Sequence, residues 1–168
     1  MNERKESTTS IILEYVRVIV LTVIATFIFL QFVQISRVNG SSMENTYFQN
    51  NIVLIDKVFY KHSQPKRNDI IIVDYDYGLD DTLIIKRVIA VGGDHLDIKN
   101  NEVYINGKKI KESYIKENMN TEDLSIDIPK GKVFVMGDNR NHSLDSRKLG
   151  YFDFDNDVIG KVFFKIPL

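Results

Sequence analysis

The hydrophobic positions fall into two regimes. From Ile11 to Ile35 they run almost unbroken, dominated by Ile, Leu, Val and Phe. The charges of this run, Glu14 and Arg17, sit near the start. Val18 to Val33 is free of charge and spans about 24 Å as a helix, against a hydrocarbon core of about 30 Å. Snorkelling or pairing of Glu14 and Arg17 lets Ile11 to Tyr15 complete the crossing. A cleaved leader would need small residues at a cut site soon after the run, and Ile35-Ser36-Arg37-Val38 offers none. A buried core helix is the other reading, and it is disfavoured because the segment is apolar on all faces in a chain with room for one small domain. The pattern therefore predicts a single-pass anchor over residues 11–35, preceded by a short polar start over residues 1–10. Arg4, Lys5 and Arg17 lie on its N-terminal side, against Arg37 just after it. That bias places the N-terminus in the cytoplasm and the remaining domain outside.

After Ser36 the pattern shifts to short β-branched and aromatic runs. Strands are predicted at Ile52 to Tyr60, Asp69 to Tyr75, Thr82 to Val91, Leu96 to Ile98, Glu102 to Ile105, Lys108 to Ile110, Lys132 to Met136 and Val158 to Phe164. Gly92-Gly93 ends the third, and Asn106-Gly107 is a type I′ turn signal. Ser113 to Asp127 has no clear period and reads as a surface excursion. Many short strands with little helix imply a mainly β chain. The expected fold is a transmembrane helix followed by a twisted, partly closed antiparallel β-domain over residues 36–168. Residues 96–130 form a smaller, insertion-like part of it.

Composition narrows the function. The 168 residues carry a formal net charge of −1, which gives no electrostatic reason to expect nucleic acid. There is no cysteine, which removes disulfides, thiolate metal sites and cysteine nucleophiles. His62, His95 and His142 are widely spaced and lack a metal-ligand pattern, so no metal or other cofactor is expected. Asp153, Asp155 and Asp157 alternate, but the glycine and distal glutamate of a calcium loop do not follow in register, so a solvated turn is expected. Tyr47 and Phe48 are either core residues or an interfacial pair beside the site.

Two residues suggest chemistry. Ser42 lies in Gly40-Ser41-Ser42-Met43-Glu44-Asn45-Thr46, within about 28 Å of chain from the end of the anchor. Lys86 lies inside an apolar strand. Strict alternation puts Ile84, Lys86 and Val88 on one face and Ile85, Arg87 and Ile89 on the other. On an edge strand both cations would reach solvent. Enclosed, Lys86 would lose hydration, and its pKa would fall toward neutrality, where an amine can serve a serine as base. The segment Met136 to Gly150 follows an apolar strand and concentrates Asp138, Arg140, Asp145 and Arg147. It is either a solvated loop with surface ion pairs or a loop whose conformation is fixed.

These stretches, with Arg67-Asn68-Asp69, Ile85-Lys86-Arg87-Val88 before Gly93-Asp94, and Gly137-Asp138-Asn139-Arg140 before Ser143 and Asp145-Ser146-Arg147, resemble the ordered boxes of the bacterial type I signal peptidases. The short length and single anchor are most similar to the Gram-positive type. The resemblance implies a membrane-anchored serine endopeptidase that removes signal peptides from secreted pre-proteins, with lipid as its other partner. It makes Ser42 the nucleophile and Lys86 the general base. It implies an oxyanion site at the Ser42 N–H near Gly40, a hydrogen bond from Ser143 that orients Lys86, and an Asp145–Arg147 pair that fixes the loop. It also implies pockets for small side chains at Val38, Met43, Ile84 and Ile85. Asn45, Asn68, Ala90 and Gly92 depart from the family pattern, where Pro, Gly, Gly and Pro are usual. Loss of the proline is expected to loosen the nucleophile turn. Two other readings share these residues: a catalytically idle anchored relative that binds substrates or partners, and a self-cleaving Ser/Lys regulator. The regulator would carry a DNA-binding domain where this chain has an apolar anchor.

Overall fold

The computed structural model describes residues 8–76 and 81–167, with the side chains of 76, 81 and 82 left out of account. Arg4 and Lys5, with most of the expected polar start, lie outside the described residues.

Helix α1 (Thr8–Phe32) has 25 residues, and none of them is buried. It is about 37 Å long, enough to cross a hydrocarbon core. Its apolar surface faces outward on every side, which fits a membrane-anchored protein. Among the described residues it is the one helix long and apolar enough to span a membrane. It ends three residues earlier than the apolar run. Val33–Arg37 forms strand β1 instead, paired along its whole length with β2 (Ile52–Asp56). Pairing partners, which local hydrophobicity does not reveal, decide this boundary. No linker separates helix from sheet, and the Phe32 ring stacks on Phe59 with centroids 5.3 Å apart.

The remaining strands are β3 (Ile70–Asp76), β4 (Asp81–Val91), β5 (His95–Lys99), β6 (Glu102–Ile105), β7 (Lys108–Lys109), β8 (Leu124–Asp127) and β9 (Lys132–Met136). A one-turn helix α2 (Ser146–Leu149), β10 (Phe152–Asp153) and β11 (Val158–Ile166) complete the chain. They form an antiparallel seven-stranded sheet, ordered β1-β2-β11-β3-β4-β9-β10, and a four-stranded sheet, β7-β6-β5-β8. The chain is mainly β, as expected. The large sheet stays open, with β1 and β10 as its edges. The stretch read as a surface excursion contributes β8, and Met119 within it is buried in the core. Its alternating Leu124-Ser125-Ile126-Asp127 is too short to stand out against its polar surroundings. Strand β2 stops at Asp56 because the Asp56 Oδ1 accepts the backbone N–H groups of Val58 and Phe59, at 3.1 and 2.9 Å, and turns the chain.

Strand β4 meets all three hydrophobic clusters. Ile85 joins Val38, Met43, Tyr47, Val53, Ile55, Ile72 and Val162. Ile84 packs with Val88 against Ile71, Val73, Val135 and Phe152. Ile89 and Ala90 join Leu96, Ile98, Val103 and Met136, which belong largely to the small sheet. The strict alternation fails at Ile89, because the register of β4 on β9 shifts between Val88 and Ala90. That bulge sends neighbouring residues into different clusters.

Candidate active site

Ser42 lies at the start of a turn that the buried Met43 anchors. The N–H groups of Thr46 and Tyr47 both donate to the Met43 carbonyl, at 3.0 and 2.8 Å. Asn45 occupies the third position of this turn with φ +89. That is the left-handed requirement of a type II turn, which asparagine tolerates and proline cannot meet. The looser turn expected here is therefore replaced by a differently built one. Asn68 likewise takes φ +73. Gly92 passes so close to Lys130 that a β-carbon there would lie 2.9 Å from the Lys130 Cα.

Lys86 comes from β4, the fifth strand across the large sheet. It is 3% exposed. Its Nζ donates to Ser42 Oγ at 2.8 Å and to the Ile85 carbonyl at 3.0 Å. Burial pushes its pKa down to about 8, while the field of Asp145 acts the other way. An amine at that value is neutral in a useful fraction of molecules near pH 7, and it lies within proton-transfer reach of a hydroxyl.

The Met136 to Gly150 segment is not a solvated loop. Asp138, Asn139, Arg140 and Asp145 are all buried. Asn139 holds the nucleophile turn from one side. Its N–H donates to the Ser42 carbonyl at 3.0 Å and its Nδ2 to the Ser41 carbonyl at 3.0 Å. Asp145 caps α2 and accepts the Gly137 N–H at 3.0 Å. Arg147 reaches Asp145 through Nε and a terminal nitrogen, at 2.9 and 2.8 Å. The expected Asp145–Arg147 pair is thus present as a geometry. The expected bond from Ser143 to Lys86 is not made. Ser143 Oγ is buried and has no hydrogen-bond partner among the described residues. Gly40, at φ +96, gives its N–H to Gln49 Oε1 at 2.6 Å and so shapes the path of the chain into the Ser42 turn.

Beside the dyad, a narrow cleft of about 130 Å³ is lined by Val38, Val53, Ile55, Ile72, Leu83 and Ile85, with Ser36 and Arg37 at its polar side. Val38 and Ile85 are thus in the cleft wall. Met43, 1% exposed, does not line the cleft but packs in the same hydrophobic cluster as Val38 and Ile85. Ile84 packs on the cluster of Val73 and Phe152 and is not part of this wall. Tyr47 is core and Phe48 is exposed.

Sequence reasoning missed a buried ionic layer under the site. Arg87 donates to Asp138 from Nε and a terminal nitrogen, at 2.8 and 2.7 Å. Thr46 Oγ1 also donates to Asp138. Tyr114 and Glu112, from the small sheet's connection, complete the layer against Arg87 and Arg140. The available signal was two arginines embedded in apolar or turn-rich sequence, since a buried guanidinium needs a carboxylate.

Comparison with known proteins converges on one family. The family model described as signal peptidase, peptidase S26, matches residues 12–166. The chain is 33% identical to signal peptidase I P of Bacillus subtilis subsp. natto, over 95% of this chain and 91% of that protein. It is 38% identical to signal peptidase I U of Bacillus subtilis strain 168, over 73% and 70%. The crystal structure of a signal peptidase I from Enterococcus faecalis V583 superposes with a TM-score of 0.51 and 28% identity, covering 60% of this chain and 98% of that one.

Proposed function

This chain belongs to the signal peptidase family, peptidase S26, and we propose that it works through a Ser42–Lys86 dyad at the membrane surface. It is a signal peptidase I, a serine endopeptidase that cleaves signal peptides from pre-proteins. The observation that carries the dyad is the 2.8 Å separation of Ser42 Oγ from the buried Lys86 Nζ.

Neutral Lys86 takes the Ser42 hydroxyl proton as Oγ attacks the scissile carbonyl carbon. The oxyanion is held by the Ser42 N–H. As the C–N bond breaks, the Lys86 ammonium returns that proton to the leaving amine, the new N-terminus of the mature protein. The signal peptide is left as an ester on Ser42. A water then gives its proton to Lys86, attacks the ester and restores Ser42. Ser143, with its buried and unpaired hydroxyl, receives the ammonium when it releases Ser42. The small cleft at Val38 and Ile85, backed by the cluster that holds Met43, admits alanine-sized side chains and excludes aromatic ones.

Helix α1 is the anchor, with the N-terminus cytoplasmic and residues 36–168 outside. Its direct continuation into β1 holds the site close to the lipid surface. The short Ser42–Lys86 contact weighs against a catalytically idle relative. Incubation of the detergent-solubilised full chain with a pre-protein tests the dyad. Ser42→Ala and Lys86→Ala each abolish processing, and full processing by either variant removes the reading.

A further inference from the structure

Residues 112–116 leave β7 and tie together every part of the site before the chain reaches β8. Glu112 accepts from two guanidinium nitrogens of Arg140, at 3.1 and 2.5 Å, and from the Tyr114 hydroxyl at 3.0 Å. The Tyr114 ring lies against the Arg87 guanidinium, 4.0 Å from its centroid. Lys116 gives its backbone N–H to the Asp138 carbonyl at 3.0 Å and its ammonium to Glu44 at 2.6 Å. Asn45 donates from Nδ2 to the carbonyls of Tyr114 and Ile115, at 3.2 and 3.4 Å.

The strap thereby reaches the three segments that must meet: the nucleophile turn, the lysine strand and the loop from Gly137. Its contacts fall on neighbours of the reacting groups. Arg87 adjoins Lys86, and Asn45 shares a turn with Met43. Asn139 already holds this turn from the loop side, at the carbonyls of Ser41 and Ser42. Asn45 and Glu44 hold it from the strap side. A turn gripped from one side can pivot, whereas one gripped from two sides cannot. Proton transfer over one hydrogen bond is sensitive to such a pivot, since a displacement of about 1 Å costs on the order of a hundredfold in rate.

We propose that the strap over residues 112–116 is a positioning element for the dyad, with Asn45 the positioning residue that ties the nucleophile turn to it. The inference rests on the reading of Ser42 and Lys86 as the dyad. Asparagine suits the position twice. It accepts the left-handed φ, and its amide spans to the strap. The small sheet carries neither Ser42 nor Lys86, and it acts on catalysis by presenting this strap.

The full chain in detergent micelles, assayed on a signal-peptide substrate, tests the inference through Asn45→Gly, Asn45→Asp and Ser42→Ala. Glycine keeps the positive φ and loses the amide. Aspartate keeps the shape and loses the donor. Asn45 is exposed, so neither change disturbs the core. In both variants kcat falls on the order of tenfold while KM stays within about twofold, the signature of misplacement rather than lost binding. The midpoint of the pH profile of kcat/KM rises, because a pivoting turn lets water reach Lys86. The melting temperature stays near that of the wild type. A wild-type kcat in Asn45→Gly overturns the inference. So does a loss of activity that only follows the folded fraction, with the pH midpoint unmoved. Either result with Ser42→Ala inactive leaves the dyad reading intact. Cleavage by Ser42→Ala removes the dyad and this inference with it.

Discussion

Gly137 backs directly onto the carbonyl oxygen of Ser42, leaving no room for a side chain between them. A β-carbon at 137 would lie inside contact distance of that oxygen and of Ser143 Oγ together. The close approach lets the neighbouring Asn139 bond to Ser42 and lets Asp145 accept the Gly137 N–H. Gly137→Ala therefore forces the loop away from the nucleophile turn. The expected loss is about 1–3 kcal/mol of stability, typical of overpacking, and on the order of a hundredfold in kcat. Urea titration and steady-state kinetics measure the two effects separately.

As the proposed base, Lys86 is expected to set the pH dependence of activity. With its pKa near 8, the neutral fraction grows with pH, so kcat/KM is half-maximal at about pH 8 and levels off roughly one to two pH units above it. An acidic optimum would contradict this.

The same group affects stability. The unfolded chain holds the Lys86 proton up to the ordinary lysine value of 10.5, and the folded chain releases it near 8. Between these values the unfolded state binds more protons, so stability rises with pH across that window. Below it the cost of a buried ammonium is present in full. Lys86→Met, inactive as a peptidase, is expected to be more stable than wild type at pH 7 by about 1–3 kcal/mol. Urea titrations at pH 7 and pH 10 check this, with the advantage shrinking at the higher pH.

Ser143→Ala separates a role in turnover from a role in folding. The hydroxyl has no partner among the described residues, so its removal is expected to leave stability unchanged or raise it by up to about 1 kcal/mol. If the hydroxyl receives the Lys86 ammonium during the reaction, kcat falls about tenfold or more, the worth of one hydrogen bond to a charged group. An unchanged kcat assigns Ser143 no part in turnover.

Asp138→Ala leaves the Arg87 guanidinium buried without its carboxylate. The side chains of Arg87 and Asp138 are only 8% and 0% exposed, so solvent cannot replace the lost partner. A loss of about 3–5 kcal/mol is expected, as for other broken buried pairs. Thermal melting of the detergent-solubilised chain measures it. A loss under 1 kcal/mol, the scale of a surface pair, would show the layer to be solvated.

Local sequence was enough for the β-branched runs of β3, β4, β6 and β9, since each has the apolar pattern of a strand that contributes to a core. It also marked the apolar helix, and it singled out Ser42 and Lys86 through their surroundings. The end of α1 was not legible, because Val33 to Ile35 is as hydrophobic as the helix before it. Only the partner strand β2 turns those residues into sheet. Strand β8 was hidden for the related reason that its stability comes from β5, not from its own four residues.

The primary structure by itself supplied the candidate groups, a serine in a turn-forming stretch and an apolar-flanked lysine. It could not determine how far apart they stand. That distance depends on a bulge in β4, on a glycine thin enough to let two loops touch, and on Arg87, Asp138, Glu112 and Tyr114 meeting from distant parts of the chain. Such contacts are long-range and between charged groups, and the free energy of a buried charge depends on partners that local pattern does not encode. Tertiary structure alone therefore decided that Lys86 is enclosed, that the Ser143 hydroxyl has no partner among the described residues and that Asn45 faces the strap.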